Sequence, residues 1–152
     1  MWERITQQLP PSITTPEAYY AAAVVYSQEL GEYQKGIDYY QKVVDNWPDY
    51  EFAWHAQYFV GKYYEILRDS GIVSESEANS KIEQAYKAVV EKYPDSESAP
   101  SAALKLARMN FESGRRVEAV MYYEIFLAIA DPGDTRIKNI KVFLEQLKGE
   151  EK

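Results

Sequence analysis

The segment Tyr39-Tyr40-Gln41-Lys42-Val43-Val44-Asp45-Asn46-Trp47-Pro48-Asp49-Tyr50 returns 46 residues later as Ala85-Tyr86-Lys87-Ala88-Val89-Val90-Glu91-Lys92-Tyr93-Pro94-Asp95-Ser96. A weaker copy, Tyr122-Tyr123-Glu124-Ile125-Phe126-Leu127, begins 37 residues after that. The preceding segments keep the same spacings: Ala23-Val24-Val25-Tyr26-Ser27, Val60-Gly61-Lys62-Tyr63-Tyr64 and Leu106-Ala107-Arg108-Met109-Asn110. Two elements therefore occur three times. A period of this length marks an array in which no unit buries its apolar face without its neighbour. A chain of 152 residues holds three such units and one further element, and reads as one contiguous domain over 1–152.

Both elements read as helices. Tyr40, Val43, Val44 and Trp47, like Tyr86, Val89, Val90 and Tyr93, fall at i, i+3, i+4 and i+7, one face of a 3.6-residue period. Pro16 and Pro100 suit a first helical turn, whereas Pro48 and Pro94 follow helices that end before them. Thr14 with Glu17 and Ser74 with Glu77 form capping boxes, and Gly31 and Gly114 are placed to turn one helix into the next. The predicted helices are 16–30, 33–46, 51–69, 75–92, 98–113 and 116–130. A seventh, 135–148, starts after Asp134, carries Ile137, Ile140, Phe143, Leu144 and Leu147 on one side, and turns Lys138, Lys141 and Glu145 to water. The extra residues of the second unit fall around Arg68 to Ser76 and are expected to lengthen both helices. Val73 there is placed to staple onto Ala78 across Ser74, which leaves Ile72 without a role.

Composition removes much chemistry. There is no Cys and one His, so thiolate metal sites, Cys nucleophiles and two-imidazole sites are excluded. Seventeen Lys and Arg against 24 Asp and Glu give a net charge of −7, unsuited to a phosphate backbone, so no nucleic-acid partner is expected. No apolar run spans a bilayer, and Met1 to Gln8 show no secretory signal. His55 lacks a motif-placed nucleophile or metal partner, and Glu75 with Glu77, or Asp131 with Asp134, fit helix caps better than an acid/base couple or a calcium loop. No enzyme activity, metal or cofactor is expected. Tyrosine is abundant, 14 residues with doublets at 19–20, 39–40, 63–64 and 122–123. Neighbours about 100° apart on a helix predict one ring inside and one at the boundary of each doublet.

These residues resemble the tetratricopeptide repeat, a helix-turn-helix unit of about 34 residues. Ala23-Val24, Val60-Gly61 and Leu106-Ala107 stand where that family carries Leu-Gly. Gly31-Glu32-Tyr33 and Gly114-Arg115-Arg116 stand at its turn, Tyr40, Tyr86 and Tyr123 at its second-helix aromatic, and Pro48 and Pro94 at its closing proline. Ser27 and Asn110 replace its first-helix Tyr, Ile82 replaces a small residue, and Asp131 replaces the third proline. The linker Tyr93-Pro94-Asp95-Ser96-Glu97-Ser98-Ala99 is similar to one in bacterial cell-envelope members, the Tol-Pal-associated and outer-membrane-assembly lipoproteins, and that likeness admits a periplasmic location.

The resemblance implies an all-α, right-handed solenoid of three helix pairs (17–50, 51–96 and 97–131), an N-terminal segment 1–15 and a capping helix at 135–148. It also implies a noncatalytic scaffold that holds a peptide or helix of another protein in its concave groove. The family's groove positions map onto Ala18, Ala21, Val25, Gln28 and Glu29, then His55, Tyr58, Lys62, Glu65 and Ile66, then Ser101, Leu104, Arg108, Phe111 and Glu112. The expected partner-binding set is His55, Tyr58, Lys62, Ser101, Leu104, Arg108 and Phe111. Lys62 and Arg108 share the ninth position and would receive a carboxylate or acidic segment, or else pair within their helices with Glu65 and Glu112. The alternative is a structural segment of a longer repeat protein that packs on flanking repeats or a second copy of itself.

Overall fold

The structure, a computed structural model, describes residues 15–150. These residues are all-α, with seven α-helices and no strand among them: α1 Pro16–Val24, α2 Tyr33–Asn46, α3 Ala53–Asp69, α4 Glu75–Lys92, α5 Ala99–Glu112, α6 Arg116–Ile129 and α7 Ile137–Glu150. The prolines and glycines account for the close match to the expected bounds. Pro16 opens α1, Pro100 sits in the first turn of α5, and Pro48 and Pro94 follow the ends of α2 and α4. The cap of α1 differs from the expectation. Thr15, not Thr14, is the N-cap, and its Oγ1 accepts from Ala18 N at 3.3 Å. Pro16 at the first helical position requires this. Thr14 lies outside the described residues. The second expected cap forms, with Ser74 Oγ accepting from Glu77 N at 3.3 Å.

The chain divides into two compact units, residues up to Ala85 and residues from Tyr86, and the division falls inside α4. In the first unit α2 packs on α1 and α3. The core takes one stripe from each helix: Ala22, Ala23 and Tyr26; Ile37, Tyr40, Val43 and Val44; Ala56, Val60, Tyr63 and Leu67. Each large side chain so buried contributes about 1.5–3 kcal/mol. Tyr40 is the centre, stacked on Phe59 at 5.8 Å and Tyr63 at 6.2 Å. Its hydroxyl makes no hydrogen bond of good geometry. Burial drives its pKa well above the ordinary tyrosine value, and an interaction with Ser27 opposes only part of that effect.

Beside this core runs a mixed cation and aromatic ladder. Tyr26 stacks on Tyr39 at 5.6 Å, and Tyr19 lies 5.6 Å from both Tyr39 and Trp47. Lys35 Nζ sits 5.2 Å over Tyr26, and Lys42 Nζ 5.3 Å over Tyr39. Each such contact is worth about 0.5–1 kcal/mol at an exposed site. The tyrosine doublets follow the expected inside-and-boundary split at Tyr63 and Tyr64, but both members of Tyr39-Tyr40 and of Tyr122-Tyr123 are buried. A helix packed on two sides buries more than a 100° arc.

The end of α1 departs from an α-helix. Val25–Glu29 form a π turn in which Leu30 N donates to Val25 O at 3.0 Å and Glu32 N donates to Tyr26 O at 2.8 Å. Ser27 Oγ donates to Ala23 O at 2.7 Å, inserting a side chain into the backbone ladder. Gly36 of α2 closes on this turn so tightly that a Cβ there would lie 2.7 Å from Ser27 Cβ. Gly31 then reverses the chain at φ +66°.

The inserted residues lengthen both helices of the second pair as expected, to 17 in α3 and 18 in α4, against 14 in α2, α5 and α6. Val73 packs against the first-unit core, and Arg68 Nη1 donates to Asn79 Oδ1 at 2.8 Å across the turn. Ile72 is 71% exposed.

In the second unit α5 meets α6 through Ala102, Ala103, Leu106 and Ala107 against Ala119, Tyr122, Tyr123 and Phe126, all buried. Small residues on one side let the aromatic rings of the other fill the seam. Helix α7 lies on α6, with Leu144 and Leu147 buried and Lys138, Lys141 and Glu145 exposed, as its sequence pattern requires. Phe143 meets the rings of Phe111 and Tyr123 edge-on at 5.3 and 5.4 Å. Ion pairs of Arg116 with Glu150 and Glu124 with Lys148 tie α7 to α6.

Candidate partner-binding surfaces

On α3, His55, Tyr58 and Lys62 are spaced i, i+3 and i+7 and share a stripe beside the core-facing Ala56, Val60 and Tyr63. All three are partly buried. Burial raises the pKa of Tyr20 to about 12, with lesser contributions from Tyr50 and Tyr63. Its hydroxyl therefore stays protonated, and it is hydrogen-bonded with His55 Nδ1. The imidazole stands edge-on to Phe59, ring centres 4.4 Å apart, and to Trp54 at 5.4 Å. His55 is thus an oriented member of an aromatic wall. Tyr58 continues that wall, edge-on to Phe59 at 6.2 Å. On α1 the expected groove residues Ala18 and Ala21 are partly exposed, while Val25, which follows them, is buried. Tyr20 and Phe59 were absent from the expected set, although the Tyr19-Tyr20 doublet one helical turn from Ala23 was a signal for the first of them.

The second unit treats its expected residues differently. Ser101 Oγ accepts from Arg136 Nη1 at 3.1 Å, Leu104 is only 3% exposed, and Phe111, 38% exposed, bears Phe143 on its ring. Leu104 therefore offers no surface to a partner, a correction to its expected role. Asp134 fixes Arg136 by two bonds, from Nε at 3.0 Å and from Nη2 at 2.7 Å, and the guanidinium lies 5.2 Å over the Phe126 ring. The side-chain hydrogen bonds from Arg136, joined by one from its backbone, pull the Asp134 carboxyl down to about 2. Nothing in the sequence pattern marked Arg136. Arg108 remains exposed. Among the described residues neither Lys62 nor Arg108 closes an ion pair, so the expected intrahelical pairs with Glu65 and Glu112 do not form.

No group of three or more acidic or imidazole side chains among the described residues is arranged to hold a metal ion, and no helix there is long and apolar enough to cross a membrane. No curated protein matches the chain. Residues 17–50, which run from the first turn of α1 through the π turn and α2 to Tyr50, match the family model described as the tetratricopeptide repeat. That match, on a chain built of helix pairs, supports the tetratricopeptide repeat family, whose repeats generally serve as noncatalytic scaffolds for protein–protein interaction.

Proposed function

We propose that this chain is a noncatalytic scaffold that holds a peptide or helical segment of another protein against the α1–α3 face of its first unit. The observation that supports this reading is that His55, Tyr58 and Lys62 keep part of their surface after the core is satisfied. Half-buried aromatic side chains already fixed by Tyr20 and Phe59 lose little freedom on binding, which is the economy of an anchor site. Lys62 adds a cation beside them and suits an acidic segment. In the second unit Arg108 and the open part of Phe111 are the expected residues that stay accessible.

Affinity capture from the source organism, with wild-type and substituted bait compared for the same protein band, tests the reading. Tyr58→Ala and Lys62→Glu should each lose the captured protein, with far-ultraviolet circular dichroism unchanged. Higher salt should weaken wild-type capture too. Capture unaffected by both, together with concentration-dependent self-association in sedimentation, would instead favour a structural segment that packs on its own kind.

A further inference from the structure

Helix α7 sits on a face that the repeat frame marks for a partner. On α5, Ser101, Leu104 and Phe111 are spaced i, i+3 and i+10 and share one side of the helix. Both ends of that stripe are met by α7 and the residue that precedes it: Arg136 Nη1 donates to Ser101 Oγ at 3.1 Å, and the Phe143 ring stands edge-on to Phe111 at 5.3 Å. Leu104, between them, is buried. On α6 the contacts run in the reverse order, with Arg136 over Phe126, Phe143 against Tyr123, and Glu150 with Arg116. Helix α7 therefore runs parallel to α5 and antiparallel to α6, along the seam between them, as a helix bound in a groove does.

The hold on α7 is thin. Of its fourteen residues only Leu144 and Leu147 are buried, whereas seven of the fourteen in α5 are. The ion pairs of Arg116 with Glu150 and of Lys148 with Glu124 join side chains that stay about half exposed, and pairs so placed hold little. Phe111 keeps 38% of its surface with Phe143 already on its ring, so the seat is only partly filled. The tether adds no purchase: residues 131–133 are exposed, and a Cβ at Gly133 would meet nothing within 4 Å. Few buried groups and exposed polar ties mark an element that opens locally while its neighbours stay folded.

We propose that this seat is an interaction surface for which α7 competes with a partner: an amphipathic helix of another protein, carrying an arginine followed seven residues later by Phe-Leu-x-x-Leu, takes the place on Ser101, Phe111, Tyr123 and Phe126 when α7 leaves it. The pattern is that of α7 itself, from Arg136 to Phe143, Leu144 and Leu147, and so states what the seat accepts. The ring and the two leucines match the apolar seam, and the guanidinium matches the Phe126 face and the Ser101 hydroxyl. A partner meets the seat only in the fraction of molecules whose α7 is undocked, so α7 sets the apparent affinity. The surface belongs to the second unit and is lost or kept independently of the α1–α3 face.

The test is the binding of a fluorescein-labelled synthetic peptide of residues 134–150 to the whole chain, read by anisotropy. It should bind saturably to the chain carrying Leu144→Ala with Leu147→Ala, and at least about tenfold more weakly to the wild-type chain, whose tethered α7 competes at about millimolar effective concentration. Phe111→Ala added to the double variant should weaken the peptide roughly two- to tenfold, the range of an aromatic pair, and a peptide with Phe143→Ala and Leu147→Ala should not bind. A second measurement needs no substitution: in native hydrogen exchange of the wild-type chain, α7 amides should exchange through an opening at least about tenfold more frequent than that of α5 and α6. Exchange of α7 only together with α5 and α6, equal peptide affinity for the two chains, no binding to a folded double variant, or no loss with Phe111→Ala each overturns the proposal and makes α7 a fixed cap. So does a wild-type dimer in sedimentation that the double substitution abolishes, because the occupant would then be α7 of a second copy.

Discussion

The α1–α2 pair and the α5–α6 pair are the same motif placed 83 residues apart, from Pro16 to Ala99 at their starts and from Gly31 to Gly114 at their turns, yet they end differently. After α5 the chain closes regularly, with Gly114 N donating to Phe111 O and Arg115 N to Asn110 O. After α1 the corresponding bond reaches one residue further back, from Glu32 to Tyr26, through the π turn. The difference follows two substitutions. Where α5 has Asn110, whose Nδ2 donates to Leu106 O at 2.8 Å, α1 has the shorter Ser27, and where α6 has Ala119, α2 has Gly36. A smaller pair of residues lets the first two helices approach more closely at their turn, and the wider turn accommodates that approach. The second pair has an additional constraint, because α7 lies on it.

The largest effect is expected from removing that constraint. Leu144→Ala with Leu147→Ala should cost about 2–5 kcal/mol per buried leucine, less than additively because the two are neighbours, and should undock α7. Hydrogen exchange would then show α7 amides unprotected, while an unaltered melting temperature would mean that α7 does not stabilise the second unit. Next, Gly36→Ala should destabilise the first pair by about 1–3 kcal/mol through its clash with Ser27, set against a helix-propensity gain of about 1 kcal/mol. Adding Ser27→Gly removes the clashing Cβ and should restore what was lost. Ala119→Gly, the reciprocal change, should cost about 1 kcal/mol with no such partner dependence. Were Gly36→Ala to stabilise as an ordinary helical glycine replacement does, the close approach would have no energetic meaning.

Of similar size, Gly31→Ala and Gly114→Ala should each cost about 1–2 kcal/mol and by equal amounts, since both residues have positive φ and a Cβ at either meets nothing within 4 Å. An unequal cost would place strain in one turn only. The smallest effect is a pH dependence confined to the second unit. The Asp134 carboxyl is held at about 2, below its ordinary 3.8. Its contribution is therefore present above 3.8 and is lost as pH falls through about 2. A carboxyl carbon titration should find Asp134 still ionised at pH 3, and Arg136→Gln should return it towards the ordinary value.

Much of this fold was legible in the sequence because its punctuation is local. A proline or a glycine sets one backbone position irrespective of the rest of the chain, and the apolar stripes of α2, α3 and α7 follow from spacing alone. The same local rule would have named Thr15, since Pro16 fixes the cap as the residue before it. The π turn was not legible. It arises from Ser27 and Gly36 meeting across two helices, and neither carries a periodic signal. On the candidate surface, the placing of His55, Tyr58 and Lys62 on one stripe could be read from their spacing. The fate of Ser101, Leu104 and Phe111 could not, because α7 and Arg136 arrive from a part of the chain that shares no repeat with them.

The ring of Trp47, seated against Tyr19 at the end of the cation and aromatic ladder, has an optical consequence. All three tryptophans, at positions 2, 47 and 54, precede residue 55. The emission of Trp47 and Trp54 therefore reports on the first unit, excited in part through the tyrosine beside Trp47, whereas far-ultraviolet ellipticity sums the helices of both units. Urea unfolding followed by both signals resolves the chain without a label: superimposed curves mean that the two units melt as one body, and separated curves give each its own midpoint.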